Sequence, residues 1–231
     1  MRDMIAKLLD SVFPRCCPAC DVRLAAPQAS FCELCAVGCL GPEPGCDVCG
    51  LPMAADPASQ RCGGCLVKRP MLRRTRWAAE YGGAVQTAIQ RFKYRRRTDV
   101  LDGLLSLGLP DTALVDVVMP VPLHWRRRLV RGFNQAALIA RRVGSRQRVP
   151  VDCSALSRFR ATLPQARLSE AGRAENVRGA FRVDAPGRVR GRRVLLVDDV
   201  VTTGATANEC ARVLKQAGAT SVDLWSIARA L

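Results

Sequence analysis

The sequence contains a single histidine, and it lacks both a long apolar run and the Gly-x-x-x-x-Gly-Lys signature of a nucleotide-binding P-loop. No apolar stretch approaches the about 20 residues that a membrane-spanning helix needs, so no membrane span is expected. His124 has no evident acid–base partner, and we interpret it as a loop residue that contacts phosphate or is structural. Hydrophobic residues still make up 48% of the chain, which indicates a globular protein.

The first 14 residues predict a short amphipathic helix. Apolar residues recur at helical spacing from Met1 to Val12, but charged residues such as Lys7 and Asp10 interrupt them. A secretory signal has an uninterrupted apolar centre, so the pattern favours a protein that stays in the cytoplasm. The 231 residues are enough for one α/β domain, expected at 69–231, and a small appendage, expected at 15–68.

Basic residues are concentrated in the second part of the chain. Residues 1–68 hold six Lys/Arg and seven Asp/Glu, whereas residues 69–231 hold 30 and 13. A basic surface attracts polyanions, either nucleic acid or a diphosphate. A GC-rich genome that favours arginine codons explains the same excess without any partner, so charge alone does not decide.

Eight of the twelve cysteines form four Cys-x-x-Cys pairs before residue 66. Two residues between thiolates allow a tight turn to aim both sulfurs at one ion. In a cytoplasmic protein this usage argues against a disulfide framework, so we predict two structural zinc sites with four thiolates each. The predicted ligands are Cys17, Cys20, Cys32, Cys35, Cys46, Cys49, Cys62 and Cys65.

An internal repeat assigns these pairs to two successive ribbons. Cys17 and Cys46 lie 29 positions apart, and Cys32 and Cys62 lie 30 positions apart. An interleaved arrangement stays open, as does the replacement of a ligand by Cys16 or Cys39. Four thiolates leave no position for water and the segment is slightly acidic, so a scaffold or partner-docking role is favoured over nucleic-acid binding.

A buried strand, a polar loop and a helix are predicted near the C-terminus. The apolar residues Val194–Val197 follow a Gly-Arg-Arg turn and predict a strand of a parallel sheet. Ala207–Ala217 predicts a helix, and Ser221–Ala228 predicts the next strand. The intervening loop is therefore expected at the carboxyl edge of the sheet, where α/β proteins bind ligands.

This loop has the chemistry of a sugar-phosphate site. The adjacent carboxylates of Asp198 and Asp199 suit the vicinal hydroxyls of a ribose, and a nearby Mg²⁺ reduces their mutual repulsion. Threonine hydroxyls, a glycine and the first amides of the following helix suit a phosphate. The residues predicted to contact a sugar phosphate are Asp198, Asp199, Val200, Thr202, Thr203, Gly204, Ala205 and Thr206.

An arginine-rich loop precedes this unit. Val115–Val121 predicts a strand, and Gln135–Val143 predicts a helix that Asn134 caps. Guanidinium groups bind phosphate oxygens in pairs, so the loop between these elements suits a pyrophosphate. Its predicted contacts are Pro122, Leu123, Arg126, Arg131, Gly132 and Asn134, and Arg131 joins Asp198 and Asp199 as a catalytic candidate.

The segment Leu195–Thr206 resembles the motif that binds phosphoribosyl diphosphate (PRPP) in type I phosphoribosyltransferases, in which an apolar strand leads to two acidic residues and a Thr/Gly-rich loop. The resemblance implies that the two aspartates hold the ribose hydroxyls and that Thr202–Thr206 hold the 5′-phosphate. It also implies a flexible loop that closes over PRPP and excludes water. The polar segment after residue 158 suits that loop, with the functional residues Arg160, Gln165, Arg173 and Asn176.

Over its whole length the chain resembles the ComF family (the ComFC/GntX type). The carrying segments are the paired cysteines, Phe92-Lys93-Tyr94, Val121-Pro122-Leu123, Arg131-Gly132-Phe133-Asn134-Gln135, the set Arg160, Gln165, Arg173 and Asn176, and Val197–Thr206. The resemblance implies an α/β fold, a type I phosphoribosyltransferase-like parallel sheet flanked by helices, with a small N-terminal double zinc ribbon in a bacterial cytoplasm. It also implies a link to natural competence, where imported single-stranded DNA is handled, and for some members to gluconate utilisation.

We therefore expect a phosphoribosyltransferase that binds PRPP with Mg²⁺ and transfers phosphoribose to an unidentified nitrogen acceptor. The alternative is a non-catalytic accessory factor that binds single-stranded DNA and acts with competence proteins on the same scaffold. For that alternative the expected nucleic-acid contacts are Lys93, Arg95, Arg96 and Arg97.

Overall fold

The computed structural model describes residues 15–24, 30–41, 44–53, 60–94, 97–125, 129, 132–162 and 169–231. The helix predicted for residues 1–14 lies outside these residues, as do Arg95, Arg96, Arg126, Arg131 and Gln165. Along the described ranges, no helix is both long and apolar enough to span a membrane.

Seven α-helices and six strands lie wholly within the described residues. The helices are α1 (Glu33–Ala36), α2 (Gly63–Val67), α3 (Gly83–Tyr94), α4 (Val100–Leu105), α5 (Gln135–Gln147), α6 (Glu170–Val177) and α7 (Ala205–Gln216). The strands are β1 (Thr75–Glu80), β2 (Val117–Pro120), β3 (Leu156–Arg158), β4 (Phe181–Val183), β5 (Arg193–Val201) and β6 (Ser221–Arg229).

A four-stranded parallel sheet in the order β1-β6-β5-β2 forms the centre of the fold. The two longest strands, β5 and β6, lie in the middle, and their apolar runs are buried on both faces, as expected for a parallel sheet covered by helices. The predicted fold class, a parallel sheet flanked by helices, is confirmed.

Two apolar clusters cover the two faces of this sheet. Helices α3, α4 and α5 pack on the face that receives Leu195 and Val197 of β5. Helix α7 and the small antiparallel pair β3–β4 pack on the face that receives Val194 and Leu196. Successive side chains of a strand point to opposite faces, so this alternation also sets the directions of the polar residues that follow Val197.

The strand predicted at Val194–Val197 continues to Val201. It continues because β6 stays beside it, with Asp198 opposite Ser226 and Val201 opposite Arg229. The other predicted elements of the sheet domain exist, with ends displaced by up to four residues. Strand β2 is shorter than predicted, while α5 is longer at its C-terminal end.

The segment expected to be an irregular lid contains regular structure. Arg173 and Asn176 lie on helix α6 rather than in a loop. The Ser169 hydroxyl caps this helix by accepting a hydrogen bond from the amide of Gly172 at 3.2 Å, and Val177 anchors its end in the apolar cluster beside α7. The capping serine and the buried valine were the available signals for this helix.

The cysteine-rich segment lies along the open edge of strand β1. The amide of Thr75 donates to the carbonyl of Val48 at 2.7 Å, and the amide of Glu80 donates to the carbonyl of Leu40 at 2.9 Å. An uncovered edge strand presents unpaired amides that recruit other strands. The ribbons therefore complete the hydrogen bonding of the sheet on this side.

Candidate functional site

The two predicted carboxylates lie on strand β5 and diverge. Asp199 is buried and faces helix α3, where it forms an ion pair. Asp198 is half-buried and accepts a hydrogen bond from the amide of Asp199 at 2.9 Å. It faces the other side of the sheet, since burial and then the charge of Asp198 raise the pKa of Cys210 on α7. The sequence predicted the two aspartates at the end of the strand, but they lie within β5, which continues to Val201.

The partner of Asp199 is Lys93, in the last turn of α3. The lysine Nζ lies 2.9 Å from Oδ1 of Asp199, and the two side chains are only 15% and 11% exposed. Lys93 is one of the residues expected at a nucleic-acid surface, and its ammonium lies at Asp199. The other described residue of that predicted surface, Arg97, forms ion pairs with Asp21 and Asp99.

The predicted phosphate loop connects β5 to helix α7. Thr202, Thr203 and Gly204 are half-buried, so the loop is open to solvent. Gly204 has a φ of 76°, and a Cβ placed on it would meet no atom within 4 Å. The glycine is therefore required by its left-handed conformation and leaves free space in front of the loop.

The start of α7 offers a favourable potential for an anion. Ala205 and Thr206 are the first two residues of this 12-residue helix, whose N-terminal amides carry partial positive charge. The hydroxyl Oγ1 of Thr203 accepts a long hydrogen bond, 3.4 Å, from the amide of Ala205. The Thr203 hydroxyl thus lies beside the first amide of α7.

The predicted pyrophosphate loop begins beside the acidic pair. The amide of Val121 donates to the carbonyl of Val197 at 2.9 Å, immediately before the two aspartates. Asn134 joins the two ends of this loop. Its side chain accepts from the amide of Ala136 at 3.1 Å, as predicted for a helix cap, and donates to the carbonyl of Val121 at 3.3 Å. Gly132 has a φ of 83°, which favours glycine.

The other described residues of this loop differ in exposure. Pro122 and His124 are buried, whereas Leu123 is half-buried. The His124 ring lies 5.5 Å from the ring of Trp125, which is exposed to solvent. The burial of His124 favours the structural interpretation of this residue.

The residues expected in the flexible loop gather around α6. The guanidinium of Arg160 donates to the backbone carbonyls of Asn176 and Arg178, at the C-terminal end of the helix. Arg173 lies on the same helix and is half-buried. The amide of Gly179 donates to Glu209 of α7 at 2.8 Å, so this part of the structure is bonded to the helix that starts at the phosphate loop.

The eight predicted cysteine ligands form two separate clusters with the pairing that the repeat predicts. In each cluster all four sulfurs lie within 4.8 Å of one another, and the sulfurs of Cys20 and Cys32 and those of Cys49 and Cys62 are 3.6 Å apart. Tetrahedral zinc with bonds of about 2.3 Å requires sulfurs about 3.8 Å apart. Both clusters fit a structural zinc ion, and neither includes Cys16 or Cys39.

The acidity of these thiols also suits a metal. Burial acts to raise the pKa of Cys17 and Cys46, but neighbouring backbone amides outweigh it and lower the pKa to about 7 and about 6, respectively. Burial and then neighbouring thiols raise the pKa of Cys35 and Cys65. Four thiolates repel one another in a small volume, so a bound cation is needed to ionise all of them.

The sequence did not predict two contacts at these sites. One is the Lys93–Asp199 ion pair. The other involves Arg229, which donates to the carbonyl of Cys49 at 2.6 Å and lies 4.9 Å from the ring centre of Trp77. The first pair joins residues far apart in the sequence, and Arg229 lies 180 positions from Cys49, so no local pattern signals either contact.

Comparisons with known proteins agree with this geometry. Residues 129–230 match the model of the phosphoribosyl transferase domain family. The DNA utilization protein YhgH of Escherichia coli O157:H7 is 34% identical over 227 residues, which cover 94% of this chain and 98% of that protein. Competence protein F of Haemophilus influenzae is 32% identical and covers 81% and 85%, respectively. Competence protein ComFC of Bacillus subtilis is 27% identical and covers 80% and 77%.

Among solved structures, the chain is similar to the glutamine phosphoribosylpyrophosphate amidotransferase from B. subtilis complexed with ADP and GMP. The two are 26% identical over 54% of this chain and 24% of that chain, with a TM-score of 0.36. A score this low supports no conclusion about the present chain.

Proposed function

This chain is a member of the ComF family, with a phosphoribosyltransferase-type domain and two four-cysteine clusters that fit a double zinc ribbon, and from that premise we propose that it binds PRPP together with Mg²⁺. We propose further that it transfers the phosphoribosyl group to a nitrogen acceptor. The observation that carries the proposal is the unit formed by β5, the open loop at Gly204 and the start of α7.

This unit offers three matching contacts to a sugar phosphate. Asp198 and Asp199 supply carboxylate oxygens that accept hydrogen bonds from ribose hydroxyls. The loop around Gly204 has room for the 5′-phosphate, and the first amides of α7 donate to it. The segment from Val121 to Asn134 begins next to the acidic pair and is proposed to hold the diphosphate.

Transfer breaks the bond between the anomeric carbon and the diphosphate and forms a bond to the acceptor nitrogen, which then loses a proton to water. Bound Mg²⁺ supplies charge neutralisation to the diphosphate. The role of this chain is to orient the sugar and to donate hydrogen bonds to the leaving oxygens, for which Arg126 and Arg131 are the candidates from sequence. No nucleophile from the protein is required.

Titration calorimetry with PRPP, with and without Mg²⁺, tests the binding step. Replacing both aspartates, Asp198→Asn with Asp199→Asn, removes two charged acceptors and is expected to weaken binding by about 100-fold or more. Asp111→Asn changes an exposed carboxylate near the opposite edge of the sheet and serves as the control with unchanged affinity. Equal affinity of the double variant and the wild type would contradict the proposal.

A screen of amines and nucleobases for PRPP-dependent release of pyrophosphate tests the transfer step. The wild-type chain is expected to release pyrophosphate with at least one nitrogen acceptor, and the double aspartate variant is not. If PRPP binds tightly but no acceptor supports the release of pyrophosphate, the chain binds PRPP and the proposed transferase activity is wrong.

The second candidate function is binding of single-stranded DNA. Three aromatic side chains, Tyr94, Trp125 and Phe159, are more than half exposed, and the guanidinium of Arg182 lies 5.7 Å from the ring centre of Phe159. Exposed rings beside arginines suit base stacking and phosphate contacts. The names of the relatives, a DNA utilization protein and competence proteins, agree with this candidate.

Anisotropy of a labelled oligonucleotide between about 50 and 200 mM salt tests this candidate. Affinity is expected to fall steeply with salt and on replacing Trp125 by Ala, and to survive the double aspartate substitution. An affinity that does not depend on salt would remove the candidate. Because thiolate ligands need reducing conditions, we place either function in a bacterial cytoplasm, together with competence proteins.

A further inference from the structure

Arg229 is a buried cation at the end of strand β6. Only 5% of the residue is exposed, and its backbone is fixed on both sides, opposite Glu80 of β1 and Val201 of β5. The guanidinium nevertheless forms no ion pair with a carboxylate of the described residues. Its Nε, like the Nε1 of neighbouring Trp77, is buried without a hydrogen-bond partner in the described part of the chain. Such an arginine needs a counter-charge, because a buried unpaired cation is costly.

The contacts of this guanidinium lead to the second cysteine cluster. Its Nη1 donates to the backbone carbonyl of Cys49 at 2.6 Å, and its central carbon lies 4.9 Å from the ring centre of Trp77. Burial lowers the pKa of Arg229, and the four cysteines of the cluster act in the opposite direction. With zinc bound, such a cluster carries a net negative charge, because four thiolates exceed the charge of one Zn²⁺. The negative charge available to Arg229 is therefore that of the metal–thiolate centre.

The first cluster has a similar arginine contact but a different charge balance. Arg91 donates to the carbonyl of Pro18 at 3.3 Å, between two cysteines of the first cluster, much as Arg229 donates to the carbonyl of Cys49. Arg91 also pairs with Asp21 at 2.8 Å, so a carboxylate compensates its charge. One cysteine of the first cluster is exposed, whereas none of the second is. The more desolvated cluster is thus the one that has an uncompensated cation beside it.

Attachment of the ribbon to the sheet does not by itself require a charge at this position. A neutral side chain with N–H donors can donate to the Cys49 carbonyl and pack on Trp77 without the cost of burying a cation. A positive charge beside a negatively charged metal centre lowers the free energy of the metal-loaded state. Groups that surround the direct ligands commonly change metal affinity by about 10–100-fold.

We propose that Arg229 is the counter-charge of the second four-cysteine cluster and increases the affinity of that cluster for its metal. The inference concerns the zinc ions that both clusters fit, and it does not depend on the binding of PRPP. It makes the two ribbons unequal, because the metal of the second ribbon depends on a residue of the sheet that lies 180 positions from Cys49.

A chelator titration of the zinc-loaded full-length chain tests this inference for each cluster separately. At each chelator concentration the released thiols are alkylated and located by mass spectrometry. In Arg229→Gln the second cluster is expected to release its zinc at a chelator concentration that is lower by about tenfold or more, because the charge beside the metal centre is lost. The first cluster should change by less than about twofold, because distant sites act independently. Arg229→Lys keeps the charge and is expected to restore most of the affinity.

Arg91→Gln is the matched control at the other ribbon. It removes the arginine that donates to a backbone carbonyl of the first cluster, but the charge of that arginine is already compensated by Asp21. Zinc release from both clusters should therefore change by less than about twofold in this variant. A tenfold weakening of the first cluster in Arg91→Gln would show that the carbonyl contact, and not the uncompensated charge, determines metal affinity.

A semisynthetic chain removes the charge of Arg229 with almost no change of shape. Ligation at the natural Cys210 allows residues 210–231 to be supplied as a synthetic peptide that carries citrulline in place of Arg229. Citrulline has nearly the size of arginine and keeps N–H donors, but it is neutral. It is expected to weaken the second cluster as Arg229→Gln does, relative to the same ligation with arginine, and it decides the question if Arg229→Gln does not fold.

Three outcomes overturn the inference. One is equal zinc release from the second cluster in the citrulline and arginine chains, since hydrogen bonding alone would then explain any loss in Arg229→Gln. Another is an equal weakening of both clusters in Arg229→Gln. The third is a wild-type chain whose second cluster holds no zinc, and this result leaves the proposed binding of PRPP untouched.

Discussion

The two cysteine ribbons share one sequence pattern, but they are attached to the sheet domain in different ways. In the first ribbon Cys17, Ala19 and Phe31 belong to the large apolar cluster that also contains helices α3 and α4. In the second ribbon Cys46, Val48 and Cys65 form a small cluster of their own. One ribbon is part of the main core, and the other is an attachment beside it.

The second ribbon meets the sheet through backbone, polar and aromatic-ring contacts. Val48 accepts a hydrogen bond from the amide of Thr75, and Cys49 accepts one from Arg229. Gly50 lies so close to Trp77 that an added Cβ would be 2.4 Å from the ring. The comparison teaches that the cysteine spacing determines how four sulfurs gather in a ribbon, while the residues between the cysteines determine how the ribbon is attached.

The largest expected effect is the loss of a metal site. Cys17→Ser and Cys46→Ser should each lower the zinc content from about two ions per chain to one, measured by mass spectrometry. Cys17→Ser is expected to lower the thermal stability of the whole chain because its cluster is continuous with the main core. Cys46→Ser should leave the main unfolding transition close to that of the wild type.

Three cysteines outside the clusters provide the controls for this prediction. Cys16→Ser, Cys39→Ser and Cys153→Ser should each keep about two ions, since these residues belong to neither cluster. An equal loss of stability in Cys17→Ser and Cys46→Ser would contradict the conclusion that only the first ribbon is part of the main core.

A second prediction concerns the apolar contacts of the first ribbon. Phe31 is 6% exposed, so Phe31→Ala is expected to lower the free energy of unfolding by about 3–5 kcal/mol. Val48→Ala is the corresponding change in the small cluster of the second ribbon. It truncates a smaller side chain that has fewer apolar neighbours, so the free energy of unfolding should fall by less. Urea unfolding curves compare the two, and a larger loss for Val48→Ala would reverse the assignment of the cores.

A third prediction tests the polar attachment of the second ribbon. Burial lowers the pKa of Arg229, and the charges of the second cysteine cluster oppose that effect, so the residue is a desolvated cation beside the thiolates. Arg229→Gln is expected to cost about 1.5–3 kcal/mol through the lost charged hydrogen bond to Cys49. Amide exchange should accelerate in residues 46–53 and not in residues 15–24, whereas uniform acceleration would argue for a general role in the sheet.

The smallest expected effect is at the ionic contact of the first ribbon. Asp21 pairs with Arg91 and Arg97, but its side chain is 45% exposed, so Asp21→Asn should change stability by less than about 1 kcal/mol. The difference from the wild type should shrink further as salt is raised in thermal unfolding. A loss as large as that of Phe31→Ala would show that charge, and not apolar packing, attaches this ribbon.

Much of the architecture was predictable because its signals are local. The Cys-x-x-Cys spacing and the near-repeat predicted both clusters, and the apolar run at Val194–Val197 predicted a central strand. The end of that strand was not predictable, because β5 continues only as long as β6 pairs with it. Helix α6 was missed because its polar composition outweighed the signals of Ser169 and Val177. The domain boundary near residue 68 stays a prediction.

The sequence by itself determined the two sets of four cysteines and the presence of an acidic pair before a glycine loop, since turns and short strands depend on neighbouring residues. Only the tertiary structure decided where Lys93 and Arg229 point, because their partners lie far away along the chain. The sequence of a basic run gives its charge but not the directions of its side chains. Those directions depend on which face of the helix packs against the sheet. That packing places Lys93 beside Asp199 and Arg91 beside Asp21 of the first ribbon.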